Sequence, residues 1–421
     1  MATMRIGFSK VDITPPIGTE LGGYAGYRPC SGVHDPLHCR AVLLEQDGLL
    51  YALVAVELMC VDEALYLRIA QAVQDLGITK ERLLVCAIHT HAAPRGSIPG
   101  EGPLDLVNNS GIEDIEGFTD YMFSVVAAAG IACREAAGNL ETFQVRAARG
   151  ARPRVGSERH TGAQPGGNLT VVQFRTESGR NLILYNFPCH PTVLNAANLL
   201  VSADFAGGVE PLLDADMAVF LNGAAGDIST RFTRRESSFG ECRRMSEVTV
   251  EAVRELICKE PFVEPEPLKG IRTRITLQAQ QVETEETARK QLEEAMERWQ
   301  QGLQDGADAG TVRILKSYVE GAGVNLEFAR TLSGIRQLHL PVTAFRFCGL
   351  DFISVPGELF SVLQPQNVSI IGYANGYYRY IGGEEAYEAG YYEAMAAIVA
   401  RGEGEKLVSE LLRLQQQLDK M

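Results

Sequence analysis

Short runs of consecutive apolar residues, rich in β-branched side chains, recur along the chain and predict strands that are covered on both faces. These runs are 49–57, 83–88, 181–187, 217–221, 350–355 and 368–373. Between them lie segments whose apolar residues repeat every three to four positions, which predicts amphipathic helices. Those segments are 64–74, 121–137, 246–258 and 405–418. Because strands and helices alternate over most of the length, the pattern predicts an α/β fold, with a mixed, largely buried β-sheet flanked by helices.

Residues 283–335 depart from this alternation. The stretch VETEETARKQLEEAMERWQQGLQ is charged and rich in Ala, Glu and Gln, which are strong helix formers. DGADAG then interrupts the helical pattern before a second helical segment begins. We therefore predict a helical hairpin over 283–335 that projects from the main body. Since no Pro/Ser-rich linker divides the sequence, we expect a single domain over 1–421.

Composition and charge narrow the classes of function. The 421 residues include 39 Lys and Arg against 53 Asp and Glu, a net charge of −14. No nucleic-acid partner is expected, because no excess of cations is present to neutralise phosphates. No apolar run approaches the roughly 20 residues of a membrane-spanning helix, and the N-terminus has no apolar secretory segment. We expect no transmembrane segment, a cytoplasmic location, and nine reduced, mostly buried cysteines rather than a disulfide framework.

Histidine and glutamate side chains follow three of the predicted strands. His89 and His91 come after 83–88 in the sequence His-Thr-His, His190 follows 181–187, and Glu358 follows 350–355. Ligand sites in open α/β sheets lie beyond the carboxyl ends of strands, so these groups are expected to meet. Side chains two apart in an extended chain point to the same face. Two imidazoles and a carboxylate with an open position form a catalytic zinc shell, and the alternative is hydrogen-bonded structural histidines.

A glycine-rich turn after 217–221 carries the sequence Gly-Asp-Ile-Ser, which ends at Ser229. A nucleophilic serine is one interpretation, but the strained Gly-x-Ser-x-Gly elbow is absent. The local pattern instead favours a turn or helix-capping serine. Asp227 and Asp204 are candidates either for holding metal-bound imidazoles or for capping the backbone.

Several short motifs, taken together and in order, resemble the neutral (non-lysosomal) ceramidase family, in particular its N-terminal catalytic domain. They span nearly the whole chain, and several motifs in register are more specific than any one alone. The motifs are DITPPIG with GGYAGY (12–27), GVHDPLHCRAVLLE (32–45), AIHTHAAP (87–94), NFPCHPTVL (186–194), VSADFAGG (201–208), FLNGAAGDIST (220–230), VPGELF (355–360) and NGYYRYIGGEEAYEAGYYE (375–393).

The resemblance implies roles for individual residues. It implies a Zn²⁺ ion as cofactor, with ligands at His89, His190, Glu358 and Tyr380. It implies catalytic roles for Ser229, His91, Tyr392 and an arginine. The RPRVGSER stretch offers three arginines for the last role, Arg152, Arg154 and Arg159, of which Arg154 is favoured. Ser229 would orient water or attack the substrate directly, and His91 would exchange a proton with that water.

The resemblance further implies a zinc-dependent hydrolase that cleaves a linear amide in a small-molecule or lipid-like N-acyl substrate. Two alternatives stay open: an esterase or lactonase on the same scaffold, and a non-catalytic homologue that binds a metal or ligand. Members of the family are typically secreted or membrane-associated and end in an immunoglobulin-like domain, which we expect this chain to lack. We therefore predict a short or medium acyl chain rather than full-length ceramide. The oligomeric state is left open.

Overall fold

The structure, a computed structural model, describes residues 4–307, 309–332 and 334–421. One position of the predicted DGADAG break and one further position of the predicted hairpin lie outside the described residues.

The strands, numbered in chain order, alternate with helices along the chain. The strands are β1 Arg5–Asp12, β2 Gly32–Val33, β3 His38–Gln46, β4 Leu49–Val56, β5 Leu83–Ala87, β6 Glu141–Gly150, β7 Ser157–Glu158, β8 Leu169–Thr176, β9 Asn181–Phe187, β10 Leu200–Val201, β11 Met217–Asn222, β12 Ile228–Ser229, β13 Lys269–Gln278, β14 Gln337–Phe347, β15 Leu350–Ser354, β16 Glu358–Leu359, β17 Val368–Ile371 and β18 Tyr380–Ile381. The helices are α1 Glu63–Ala72, α2 Asp105–Asn109, α3 Ile115–Gly138, α4 Asp204–Gly207, α5 Phe239–Ile257, α6 Glu285–Gln304, α7 Ala309–Thr331, α8 Glu384–Glu388, α9 Tyr392–Met395 and α10 Glu403–Leu418.

A large mixed sheet forms the centre of the fold, with strand order β11-β9-β8-β6-β1-β3-β4-β5. Its outer pairs, β11 with β9 and β4 with β5, are parallel, and the pairs between them are antiparallel. The sheet is curled so that its two edges lie close together. Asn222 at the end of β11 donates a hydrogen bond of 3.0 Å to the carbonyl of Ile88, just beyond β5. This confirms the predicted α/β fold with a large mixed sheet flanked by helices.

Alternate residues of the large sheet face two different layers, as the two-residue period of strands requires. On β9, for example, Ile183 and Tyr185 belong to the core shared with α1, α3 and α5, whereas Leu182 and Leu184 pack on the opposite side. That side is covered by a second sheet with strand order β13-β14-β15-β17. The outer face of the second sheet packs against α10, through Leu407 among others. The order of layers is therefore helices, large sheet, second sheet, helix.

A short segment after β17 joins the two sheets. Gly372 donates its backbone N–H to the carbonyl of Asn222 at 2.9 Å, and Tyr373 accepts from the backbone of Ala87 at 3.1 Å. Asn375 then bonds Val85 of β5 twice, through its backbone N–H and its side-chain oxygen, both at 2.8 Å. The carboxyl ends of β5 and β11 are thereby held at one place together with the end of β17.

Helices α6 and α7 form the predicted hairpin, and α7 packs against α9 and α2. Glu327 on α7 accepts hydrogen bonds from Ser110 at 2.6 Å and from Arg379 at 3.0 Å. The hairpin is therefore anchored close to the strand ends that carry the chemistry. Within the described part of the chain, no helix has both the length and the apolar character needed to cross a lipid bilayer. All nine cysteines lie in the described residues and are free, and seven of them are buried.

Candidate metal centre

His89, His91 and His190 converge at the joined strand ends. One ring nitrogen from each of the three histidines lies within 4.8 Å of the other two. His89 follows β5 and adopts a left-handed backbone conformation with φ 70, which is strained for a residue with a β-carbon. Its ring stacks on Tyr373 with centroids 4.0 Å apart, and its Nδ1 lies 2.6 Å from the carbonyl oxygen of Met59. These contacts fix the ring so that Nε2 points into the cluster.

His190 is fixed in the same manner from the end of β9. Its Nδ1 lies 2.9 Å from the carbonyl oxygen of Ile228, and its Nε2 lies 3.1 Å from Oε2 of Glu358. The backbone of His190 forms a parallel bridge with Ser229, so the two side chains lie side by side. His190 and Ser229 are both buried.

His91 approaches from the other side, with its Nε2 3.3 Å from Nε2 of His89. Its ring meets Tyr24 edge-on at 4.8 Å and packs against Gly23. Only glycine fits there, because a β-carbon at position 23 would lie 2.3 Å from the imidazole and because the backbone φ is +86. Among the described residues, His91 Nδ1 is buried without a hydrogen-bond partner.

Glu358 completes the cluster from the end of β15. Its Oε2 lies 3.1 Å from His190 Nε2 and 3.5 Å from His89 Nε2, and its Oε1 accepts a hydrogen bond of 2.5 Å from the hydroxyl of Tyr377. Glu358 pairs with Tyr380 in the parallel β16–β18 ladder, so both side chains lie on the same face.

The protonation states required by these contacts fit a bound cation. A carbonyl oxygen only accepts, so Nδ1 of His89 and of His190 carries the proton and each Nε2 presents a lone pair. Both lone pairs then face the carboxylate oxygen of Glu358, which also only accepts. Burial lowers the pKa of His89 to about 3 and those of His91 and His190 well below the ordinary value. Neutral imidazoles and a carboxylate are the donor set of a zinc site.

A second buried group lies next to this cluster. Arg159 donates to Glu393 at 2.9 Å and to the hydroxyl oxygen of Tyr380 at 3.4 Å, and His160 Nε2 lies 3.0 Å from the other oxygen of Glu393. Burial alone would lower the pKa of Arg159, but Tyr380 and Glu393 raise it well above its ordinary value. The rings of Tyr380 and Tyr392 meet edge-on at 6.3 Å.

The arginine beside the cluster is Arg159 and not Arg154, which the sequence favoured. Arg154 is exposed in a turn, whereas Arg159 is buried directly after β7. Strand β7 pairs with β12, and the backbone N–H of Arg159 donates to the carbonyl of Asp227 at 2.8 Å. This pairing sets Ser157 opposite Ser229 and Arg159 opposite Asp227. Arg152 instead binds backbone carbonyls of its own loop.

The two candidate aspartates bind backbone groups. Asp227 accepts hydrogen bonds from the N–H and hydroxyl of Ser361, at 2.7 and 2.8 Å. Asp204 accepts from the backbone of Leu194 at 3.0 Å, in the loop that follows His190. They hold the segments that follow Glu358 and His190. Ser229 accepts from the backbone N–H of Arg231 at 3.4 Å, so its hydroxyl proton is not used in that bond.

The sequence did not point to four side chains in and beside the cluster as functional candidates. Tyr373 supports His89, Tyr377 donates to Glu358, and Glu393 with His160 holds Arg159. Tyr373 lies two positions before the tyrosine-rich motif at 375–393, and Tyr377 and Glu393 lie within it. The high density of tyrosines in this segment was the sequence feature that could have indicated these residues.

Comparisons with known proteins identify the fold. No protein-family model and no curated protein sequence matches the chain. The structure of neutral ceramidase from Pseudomonas aeruginosa superposes with a TM-score of 0.73 at 17% identity, over 98% of this chain and 73% of that chain. The structure of a ceramidase complexed with C2 superposes with a TM-score of 0.71 at 16% identity, over 98% of this chain and 74% of that chain. The resemblance to the neutral ceramidases is therefore confirmed at the level of the fold.

Proposed function

We propose that this chain is a metal-dependent hydrolase of linear amides, with Zn²⁺ as the metal and an N-acyl compound as the substrate. One observation carries the proposal: the Nε2 lone pairs of His89 and His190 both face Oε2 of Glu358 at 3.5 and 3.1 Å. Three acceptors directed at one another inside a buried cluster repel unless a cation lies among them. The likeness of the fold to ceramidase structures supports an amide as the bond that is cleaved.

We assign the metal ligands to His89, His190, Glu358 and Tyr380. Met59 and Ile228 orient the two imidazoles through their carbonyl groups, and Tyr377 orients the carboxylate. Such outer hydrogen bonds fix the tautomer and direction of each ligand. A bound zinc ion supplies Lewis-acid polarisation of a carbonyl and lowers the pKa of water.

The remaining residues of the cluster handle the substrate and its protons. In the neutral tautomer whose proton is on Nδ1, His91 Nε2 carries a lone pair and accepts a proton there, which it then passes to the leaving amine. Arg159, held by Glu393, and Tyr392 donate hydrogen bonds to the oxygen of the scissile carbonyl as negative charge develops on it. Ser229, beside His190, orients the attacking water.

The strain at His89 argues against a scaffold that has lost its metal or ligand site. Holding a buried histidine at φ 70 costs roughly 1–3 kcal/mol, and such strain is concentrated at functional sites. Tyr373, which stacks on His89, is also left-handed, with φ 55. A ligand-free scaffold would gain stability by relaxing both residues.

Metal analysis combined with a substrate panel tests the proposal. We expect about one zinc per chain after zinc supplementation, and hydrolysis of N-acyl amides faster than of matched esters and lactones. His190→Ala should remove both the zinc and the hydrolysis. His339→Ala is the matched control, because His339 is exposed on β14, away from the cluster, and bonds Thr276. A zinc-free wild-type protein, or faster turnover of esters or lactones, would contradict the proposal.

A further inference from the structure

The large sheet and the inner face of the second sheet line a partly open cavity of about 150 Å³ between them. We propose that this cavity is a binding site for a compact, neutral, apolar ligand such as a single aromatic ring or a short alkyl group. None of the residues of the metal centre lines it. The proposal is therefore independent of the function proposed above.

The wall of the cavity is aromatic and aliphatic, with side chains contributed by both sheets. The principal lining residues are Leu53, Phe174, Leu184, Phe345, Phe347 and Phe352. The rings of Phe345 and Phe352 stack at 5.1 Å, and those of Phe174 and Phe347 lie 5.8 Å apart. The ring pairs make this part of the wall apolar, whereas Thr343, which also lines the cavity, has a buried hydroxyl with no hydrogen-bond partner among the described residues.

Two leucines show that the space is left unfilled. Leu53 on β4 and Leu184 on β9 each lie on a strand with neighbours on both sides, beneath the second sheet. Both side chains nevertheless remain partly exposed. Since both line the cavity, that exposure is to the cavity. Their contact with other side chains is incomplete, and a ligand would complete it.

The entrance selects for a neutral ligand. Tyr51, Glu81 and Arg82 line the cavity near the starts of β4 and β5. Arg82 lies 6.0 Å from the centre of the Tyr51 ring and donates to the carbonyl of Gly77. The adjacent carboxylate of Glu81 is exposed, so the two opposite charges offset each other. An ionic head group would gain attraction from one of them and repulsion from the other.

The volume and the lining set the size of the ligand. A dry cavity of about 150 Å³ lined by Leu, Ile and Phe is known to bind benzene or xenon, and its apolar wall does not hold water. Water would need two to four polar partners, and the phenylalanines and leucines of the wall offer none beside the hydroxyl of Thr343. An empty cavity also forfeits stability relative to a filled one.

Benzene is the probe for this site, with the full chain and thermal unfolding as the measurement. At about ten times its dissociation constant, benzene should raise the Tm of the wild type by about 1–2 °C. Leu184→Phe and Leu53→Phe each place a larger side chain in the cavity and should abolish the rise. Leu49→Phe is the control: Leu49 is on β4, outside the cavity and 47% exposed, and this variant should keep the full rise.

Two results would overturn the proposal. No rise in the wild type would mean that the cavity takes no ligand, and an unchanged rise in the filled variants would place benzene elsewhere. If either variant fails to fold, the other still tests the site. Xenon-pressurised crystals of the wild type give a separate measurement, in which density between Leu53 and Leu184 supports the site and density only elsewhere contradicts it.

Discussion

Arg159 and Glu393 form a buried ion pair, in which Nη1 of Arg159 donates to Oε1 of Glu393 at 2.9 Å. The pair joins two parts of the chain that are 234 positions apart. It holds the guanidinium beside Tyr380, at the edge of the histidine cluster. Removing either partner would leave a buried charge without compensation, so this pair influences both stability and the proposed chemistry.

The first prediction concerns acid stability. Burial alone would raise the pKa of Glu393, but His160 and Arg159 lower it from 4.5 to about 2. A folded pKa below the unfolded one gives stability that is present above pH 4.5 and lost as the pH falls toward 2. The shift corresponds to about 3 kcal/mol of unfolding free energy. In Glu393→Gln, the unfolding free energy measured by urea denaturation should therefore depend less on pH between pH 2 and 5.

Glu388→Gln is the control for that measurement. Glu388 is an exposed acid that bonds Arg401 at the surface. Its replacement should leave the pH dependence of the unfolding free energy between pH 2 and 5 unchanged. If the unfolding free energy falls equally steeply with decreasing pH in the wild type and in Glu393→Gln, the ion pair does not supply this pH dependence.

A second prediction separates the metal ligands from the neighbouring residues. His190→Ala and Glu358→Ala each remove an atom that faces the cluster, so bound zinc should fall from about one to near zero per chain. Ser229→Ala should retain the metal, because Ser229 is expected to act on water or substrate. Elemental analysis of the three variants decides. Equal zinc in all three would mean that this division of roles is wrong.

The choice between two arginines gives a third prediction. Replacing Arg159 with methionine should lower kcat by about 10²–10³-fold, the usual cost of losing one donor to a developing oxyanion. Arg154→Met should leave kcat unchanged, since Arg154 is exposed in a turn. The measurement is steady-state hydrolysis of the best N-acyl substrate, with zinc content determined in parallel. Equal rates for the two variants would remove Arg159 from the mechanism.

Gly23 provides a fourth prediction. In Gly23→Ala the new methyl group would collide with the His91 ring, which must then move. The left-handed φ at this position adds roughly 1 kcal/mol of destabilisation. We expect a large fall in hydrolysis with zinc retained, since His89, His190 and Glu358 are untouched. Loss of zinc in this variant would instead make His91 a metal ligand.

The fifth prediction concerns the length of the acyl chain. We expect hydrolysis to be fastest with short or medium N-acyl chains and to be insensitive to detergent. A net charge of −14 opposes association with anionic membranes, where long-chain lipids reside. A matched series of N-acyl amides of increasing length, assayed with and without detergent, measures the preference. Activity that rises steadily to long-chain ceramide in micelles would reverse it.

Local elements could be predicted from the sequence, because their signals are local. The run 181–187 coincides with β9, and the other predicted strands end within two residues of their observed limits. Helix α5 begins seven residues before the predicted start, because Ser238 caps it by accepting from the backbone of Glu241. Capping serines within charged segments are easily missed by apolar periodicity.

Pairings between distant segments could not be predicted. The two sheets are joined by contacts such as that of Asn375 with Val85, which are 290 positions apart. Arg152, Arg154 and Arg159 differ little in their local sequence, and only the pairing of β7 with β12 decides which of them is buried. The motifs made His89, His190 and Glu358 candidates, whereas the contacts that orient the two imidazoles involve carbonyl groups that carry no sequence signal.

The segment 372–375 has a consequence for how the chain avoids self-association. An unpaired strand at the edge of a sheet can recruit a strand from another molecule, which leads to aggregation. Here a single segment bonds both edge strands of the large sheet, through Asn222 of β11 and through Val85 and Ala87 of β5. Until that segment docks, both edges are open at once. Chains truncated before residue 372 should therefore aggregate during refolding, even though every strand of the large sheet is present in them.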